Sequence, residues 1–428
     1  MKDGGPMWED IYKAAKCTPV ETAVLQLTAA SLGGSEIKKE EFAGVYWYAV
    51  YEEMKLQGVA ALPMDILHEL EEYIPNELMD EWVIYAVQVM NYGEKILNAQ
   101  QELIELLDKN KIHTAILKGA AAAVNYPNPM YRNMGDIDFL ISRKDFMRAY
   151  KLLKNSGFKC ESNIDDGNTI EDIVQRFDHH ISFVKGNICY EMHYRPAGIF
   201  DEGKSVALDK VFEEAVYHTE TSELNGYSYH RLPSPENGVV LILHIVHHLT
   251  GGLGLRQICD WMMYISNEIT EDTWVNELMP LFRETGLERL ACTLTEMCRV
   301  CFGIKGITWC TDVDKKLCAE FLRFVFDNGN FGRKGEVTNR LGTVFGEVGS
   351  ERCSSRLVNL MLNLHHQGVS SWKAVQKVPA LKCVAWAYLP VRYIGKLFKG
   401  ERTIGHTFEL IEGIKSNRSL RDKLAVFK

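Results

Sequence analysis

The hydrophobic period of this chain changes near residue 112, and that change restricts the fold more than any other feature. Over residues 7–108, apolar side chains recur at spacings of three and four, the repeat of an amphipathic helix. The segments "PVETAVLQLTAASL" and "ELMDEWVIYAVQVMNYGEKILNAQQELIELLDKN" show it most clearly, with "WEDIYKAAK", "EEFAGVYWYAVYEEMKLQ" and "PMDILHELEEYI" beside them. Gly33-Gly34, Gly58 and Pro63 punctuate the pattern. From residue 112 the apolar runs shorten to strand length. "IHTAILKG" reads as a strand, "AAAAV" as a helix opening, "DIDFLIS" as a second strand, and "SRKDFMRAYKLLKNSGF" as a helix. Ser142 followed by Asp145 resembles a capping box, and Gly157 is a natural helix stop. "HISFVKGNICYEMHY" reads as a hairpin turning at Gly186-Asn187. After the turn cluster "RLPSPENG" helical periodicity returns and runs toward the C-terminus. The expected organisation is α+β: a small mixed-sheet core over residues 111–232, embedded between helical regions at 1–110 and 233–428.

Composition excludes several classes. With 46% hydrophobic and 25% charged residues over 428 positions, the chain has ample material for a core and is not disordered as a whole. A formal net charge of −9 argues against a broad phosphate-tracking surface for nucleic acid. No apolar run reaches membrane-spanning length, and the N-terminal stretch lacks a signal-peptide core, so a cytoplasmic location is expected. The eleven cysteines are dispersed, as expected of reduced thiols. Cys298-Arg-Val-Cys301, with Cys292 before it and Cys310 and Cys318 after, raises the question of zinc. No second close pair follows at finger spacing, so thiols on a buried helix are the better reading. The locally basic tail, residues 396–428, reads as a solvated helical segment.

The chemistry is concentrated in the α/β segment. Asp is depleted in strands, yet Asp136 and Asp138 stand two apart at the mouth of the apolar run "IDFLI". In an extended chain those positions point to one side, where two carboxylates repel unless a cation lies between them. Mg²⁺ is such a cation, since it takes oxygen ligands from one or two carboxylates and from substrate phosphates. Glu191, in "CYEMHYR", shares a strand face with Cys189 and His193 and can deliver a third carboxylate to the same place. Lys118-Gly119 stands where a strand passes into a helix, and the unpaired N–H groups of such a turn suit a phosphate. Arg132, His179, His180, His193 and Arg195 are cations near these acids, available either to phosphates or to the carboxylates themselves. In the next helix, His244 and His248 have the i, i+4 spacing of a metal pair. A polar patch facing the α/β segment across a cleft is the favoured reading there, with His180, His248, Arg256 and Asp260 as cleft residues.

The stretch "LKGAAAAVNYPNPMYRNMGDIDFLIS" resembles the core of the polymerase-β-type nucleotidyltransferase superfamily. More narrowly, it resembles a nucleotidyltransferase family with the pattern Leu-Lys-Gly, Tyr-Pro, then Arg-x-x-Gly-Asp-Ile-Asp. "HHISFVKGNICYEMHYR" and "HIVHHLTGGLGLRQICDW" are similar to that family's later segments, so the likeness spans about residues 112–265. The resemblance implies Asp136, Asp138 and Glu191 as catalytic metal ligands for Mg²⁺ or Mn²⁺. Two such ions about 3.5–4 Å apart clamp the attacking and leaving oxygens in this chemistry. It implies Lys118, Gly119, Ala120, Arg132, His193 and Arg195 around the nucleotide phosphates. Superfamily members often carry Ser after the glycine, where this chain has Ala120, so phosphate contact falls to backbone N–H groups, Lys118 or Arg132. The expected reaction moves a nucleoside monophosphate from an NTP to an acceptor (a small molecule, protein or RNA) and releases pyrophosphate. The alternatives are a non-catalytic nucleotide-binding scaffold and a toxin-like transferase acting on tRNA or protein.

Overall fold

A computed structural model describes residues 7–162, 164, 167–177, 179–199, 204–310, 314–330, parts of 364–392, and 419–428. The N-terminal region contains α1 (Met7–Ala14), α2 (Pro19–Ser31), α3 (Trp47–Gln57) and the 34-residue α4 (Asn76–Lys109). Thr18 caps α2 through a reciprocal box with Glu21, and Gly58 ends α3 at φ +74°, a left-handed conformation that favours glycine. Two expected helices are shorter or different. Residues 40–57 split into a 3₁₀ turn (Lys39–Phe42) and α3, with Gly44 at φ +76° between them. "PMDILHELEEYI" forms two 3₁₀ turns, Leu62–Asp65 and Leu67–Leu70, because Pro63 starts the segment and the burial of Leu67 and Leu70 is met within single turns.

The α/β segment follows as β1 (Thr114–Leu117), α5 (Gly119–Ala123), β2 (Ile137–Ile141), α6 (Arg143–Asn155), β3 (Lys159–Cys160), α7 (Ile170–Arg176), β4 (His180–Lys185), β5 (Ile188–His193), α8 (Ala207–Ala215), β6 (Glu220–Leu224) and β7 (Tyr227–Arg231). Ser142 accepts from the Asp145 N–H at the start of α6, but Asp145 pairs with Arg148 and does not reach back, so only half of the capping box forms. Gly157 at φ +85° follows α6, and Gly186 at φ +61° turns the β4–β5 hairpin. The sheet order is β3-β4-β5-β2-β1-β7-β6. β2 lies antiparallel to β1 and parallel to β5, so the sheet is mixed and β2 is central. The β6–β7 hairpin extends the sheet beyond the strands expected from sequence. Its turn, Asn225-Gly226, holds both residues at positive φ, the geometry that Asn-Gly favours in tight hairpins.

The C-terminal helices are α9 (Ser234–Gly251), α10 (Leu255–Asn267), α11 (Glu271–Thr273), α12 (Met279–Thr285), α13 (Glu288–Cys301) and α14 (Lys315–Asn328). Cys292, Cys298 and Cys301 all lie on α13, the last two buried. Most of the basic tail lies outside the described residues. Among the described residues, no helix is long and apolar enough to cross a membrane.

Strand alternation sends the two faces of the sheet into different cores. Ile116, Ile137, Phe139, Ile141, Phe183 and Met192 pack with Leu103 and Leu107 of α4 and Phe146, Tyr150 and Leu153 of α6. Ala115, Leu117 and Leu140 face the other way, into a core that joins α9 and α10 to the N-terminal and C-terminal helices alike. The two helical regions therefore share one core. On that second face, the polar residues Asp138, Glu191 and His193 interrupt the apolar surface.

Candidate active site

The strand register aligns the acids. Leu117 of β1 pairs with Asp138 of β2, and Asp138 pairs with Glu191 of the parallel strand β5. Two residues further along, Leu140 pairs with His193, and His193 with His180 of β4. Because alternate residues share a face, Asp138, Glu191, His193 and His180 all face α9. Asp136 lies one residue before β2 and is exposed, whereas Asp138 is buried.

Lys118 follows β1 with φ +55° and ψ −138°, a region that non-glycine residues rarely occupy. Such a conformation costs about 1–3 kcal/mol and persists only where surrounding contacts impose it. Here the lysine Nζ lies 2.8 Å from Asp138 Oδ1. Gly119 continues the turn at φ +41°, with open space where a Cβ would stand. The helix α5 that follows spans only five residues, so its dipole is small. Ala120 is wholly buried in the core shared by the sheet and α4, and Tyr229 donates to its carbonyl oxygen. Of this turn, Lys118 and Gly119 line the cavity, and the Ala120 side chain does not.

Burying Asp138 would be costly without compensation. Its Oδ1 meets both Lys118 Nζ and, at 2.9 Å, His193 Nε2. His193 Nδ1 lies 3.3 Å from the Arg195 carbonyl oxygen, which orients the ring. Glu191 has His193 Nε2 at 3.6 Å and His180 Nε2 at 3.5 Å. Burial would raise the Glu191 pKa, but His193, His180 and Lys118 overcome it and hold the carboxyl at about 2. Burial likewise opposes the charges of His193 and Lys118, yet the surrounding acids raise both pKa values. Glu191 is thus ionised and Lys118 charged, with His193 Nε2 lying between Glu191 and Asp138.

Lys118, Asp138, His180 and Glu191 border a cavity of about 260 Å³. The sheet side contributes Asp136, Asp138, Glu191 and Lys118; α9 contributes His244, His247 and His248; α10 contributes Arg256. Arg132 lines it too, but its guanidinium is held in a two-pronged pair with Asp260, Nε and Nη2 each 2.7 Å from a carboxylate oxygen. Tyr126 also donates to Asp260, at 2.7 Å. Asp260 is itself buried beneath this pair and does not border the cavity. Arg256 donates to the Asn133 carbonyl oxygen at 3.1 Å, and burial together with the neighbouring Arg132 lowers its pKa. Arg195 points elsewhere, lying 3.7 Å from Asp209 of α8 and over the Tyr194 ring. His193 is buried behind Asp138 and positions it, without lining the cavity.

The histidines form a second group within the site. Burial pushes His180 and His247 down to about 4, and His179, His244 and His248 well below the ordinary range, so all five are neutral at pH 7. His179, His244 and His247 carry more of the cavity wall than the sequence suggested. The signal was present in the pairs His179-His180 and His247-His248, each beside a strongly apolar run.

Residues 44–303 match the protein family described as uncharacterised nucleotidyltransferase, which is more than half of the chain. The chain belongs to this family. The matched region begins just before α3 and ends just after α13, so it includes the whole sheet and every cavity residue above. No curated protein matches the chain. Nucleotidyltransferases typically use divalent metals, and the donor set can be tested for that use. Ligand atoms of Asp138, Glu191 and His193 lie within 4.8 Å of one another. Two carboxylates on adjacent strands, with Lys118 and His193 against them, offer the oxygen donors that a hard cation takes, so the residues of this nucleotidyltransferase fit one. Asp136 borders the same cavity but is not part of that close group.

Proposed function

We propose that this nucleotidyltransferase moves a nucleoside monophosphate from an NTP to an acceptor, releasing pyrophosphate, with Mg²⁺ or Mn²⁺ as cofactor. The observation that carries the reading is the pairing of Asp138 with Glu191 on adjacent strands, with Lys118 Nζ on the same Asp138 oxygen. Asp138 and Glu191 would hold the ion, with Asp136 at the cavity mouth as a further oxygen donor. A bound divalent ion would supply charge neutralisation for the attacking and leaving oxygens. Lys118 and Arg256 place positive charge where the triphosphate would lie, and the open space at Gly119 lets a phosphate approach the backbone. The neutral imidazoles of α9 can accept a hydrogen bond or a proton from an acceptor hydroxyl. Arg132 and Asp260 support the wall and fix the loop before β2.

One observation favours a second reading, a nucleotide-binding protein that does not transfer. Lys118 already neutralises Asp138, the role a metal would otherwise take. The two readings separate in one assay, in which the purified chain receives each α-labelled NTP with Mg²⁺ or Mn²⁺ and fractionated cell extract. Transfer predicts pyrophosphate release and labelled acceptor, both reduced at least roughly 100-fold in Asp138→Asn and Glu191→Gln. NTP binding with no pyrophosphate under any condition would leave the second reading standing and end the first.

A further inference from the structure

We propose that His179, His180 and His193 form a binding site for a borderline transition-metal dication of the zinc, cobalt and nickel class, beside the carboxylates. The three residues come from one corner of the sheet. His179 immediately precedes β4, while His180 and His193 are direct cross-strand partners. Their ring centroids lie 4.5 Å apart for His179–His180, 5.0 Å for His180–His193 and 5.4 Å for His179–His193. One ring nitrogen from each lies within 4.8 Å of the other two. Ligands about 2.0–2.1 Å from a tetrahedral ion sit roughly 3.3 Å from each other, so small side-chain rotations close the set.

Two further observations point to a ligand. Among the described residues, His180 Nδ1 is buried without a hydrogen-bond partner, a state that costs free energy and that metal ligation would relieve. His193 Nδ1 faces the Arg195 carbonyl oxygen, the contact that orients the ring of a metal-ligating histidine. His179 and His180 also border the cavity, which leaves an open side for a fourth ligand. The donor chemistry differs from that of Asp138 and Glu191: imidazole suits zinc, cobalt and nickel, whereas carboxylates suit magnesium. His193 belongs to both groups and its Nε2 lies 2.9 Å from Asp138 Oδ1, so the nitrogen site adjoins the oxygen site, and a dication held by the histidines takes Nε2 from that contact. The inference concerns metal binding alone and stands independently of nucleotidyl transfer.

The test uses the full chain, without a polyhistidine tag, stripped with chelator and titrated with Co²⁺ alone under visible absorption. The expected result is strong ligand-field absorption saturating near one equivalent, retained in excess Mg²⁺ and bleached by Zn²⁺. His179→Gln and His180→Gln should each weaken Co²⁺ binding roughly tenfold or more, while His230→Gln, on β7 away from the cavity, retains it. Unchanged Co²⁺ affinity in both histidine variants, or loss of the absorption on adding Mg²⁺, would overturn the site. X-ray absorption of the Zn²⁺-loaded wild type decides the matter even where a variant fails to fold. Three imidazole ligands support the proposal, and fewer than three defeat it.

Discussion

Lys118 Nζ lies 2.8 Å from Asp138 Oδ1, and the lysine backbone adopts φ +55° in doing so. The β1–β2 register makes the contact short, because Leu117, the residue before Lys118, is the direct partner of Asp138. A strained backbone and a buried ion pair thus share one residue.

Lys118 variants separate these two effects. Lys118→Ala should lose about 3–5 kcal/mol, since it leaves buried carboxylates uncompensated. Lys118→Gly loses the same pair but relieves the positive φ, so it should be more stable than Lys118→Ala by about 1 kcal/mol or more. Both should bind Mn²⁺ more tightly than wild type, as Asp138 no longer has the lysine. Denaturant melts and calorimetric Mn²⁺ titrations check these outcomes. Equal stability of the two variants would remove the argument for strain.

Ala120→Ser tests the departure from the superfamily pattern. A cavity-facing position would gain phosphate affinity from the hydroxyl. Ala120 is instead fully buried against the sheet, so the added hydroxyl should cost about 1–3 kcal/mol and leave NTP affinity unchanged. Thermal melts and NTP titrations of the variant distinguish the two cases.

This position also marks what the sequence could and could not reveal. The strands holding Asp138 and Glu191 were legible, because alternation in "IDFLI" and "CYEMHY" assigns their faces without tertiary information. The mixed α+β sheet followed from the change in hydrophobic period. Strand order is another matter, and the β6–β7 hairpin went unread despite its Asn225-Gly226 turn, since "ETSEL" and "YSYHR" carry few aliphatic residues. Side-chain partners across long sequence separations were equally out of reach. Arg132 and Arg195 both resemble phosphate ligands on the page, but Asp260 and Asp209 engage them in the fold. His179 and His180 stood out as potential cations, whereas burial makes both neutral, and burial depth is a property of the folded packing.

The Arg132–Asp260 pair should prove structural. Both side chains are almost wholly buried, so Asp260→Ala, which strands the guanidinium, should cost about 3–5 kcal/mol. Tyr126→Phe removes one hydrogen bond to the same carboxylate and should cost about 1–2 kcal/mol. In a double-mutant cycle, Arg132→Met with Asp260→Leu should recover much of the single-variant loss. A cycle showing simple additivity would contradict the pairing.

Stability should fall on acidification in two stages with distinct causes. His180 and His247 have folded pKa values near 4, against 6.5 when exposed, so the unfolded chain binds protons first as pH drops below 6.5. Stability is therefore lost between about pH 6.5 and 4. Glu191 acts lower down: its folded value near 2 lies below the ordinary 4.5, so its contribution is present above 4.5 and disappears as pH falls toward 2. His193 has the opposite sign. Its raised pKa stabilises the fold below pH 6.5, and that contribution is lost as pH rises through its folded value. The double variant His180→Gln/His247→Gln should flatten the decline of the melting temperature between pH 6.5 and 4 and leave the Glu191 stage below it. An unchanged slope in that upper window would mean that these two imidazoles are not held neutral by burial.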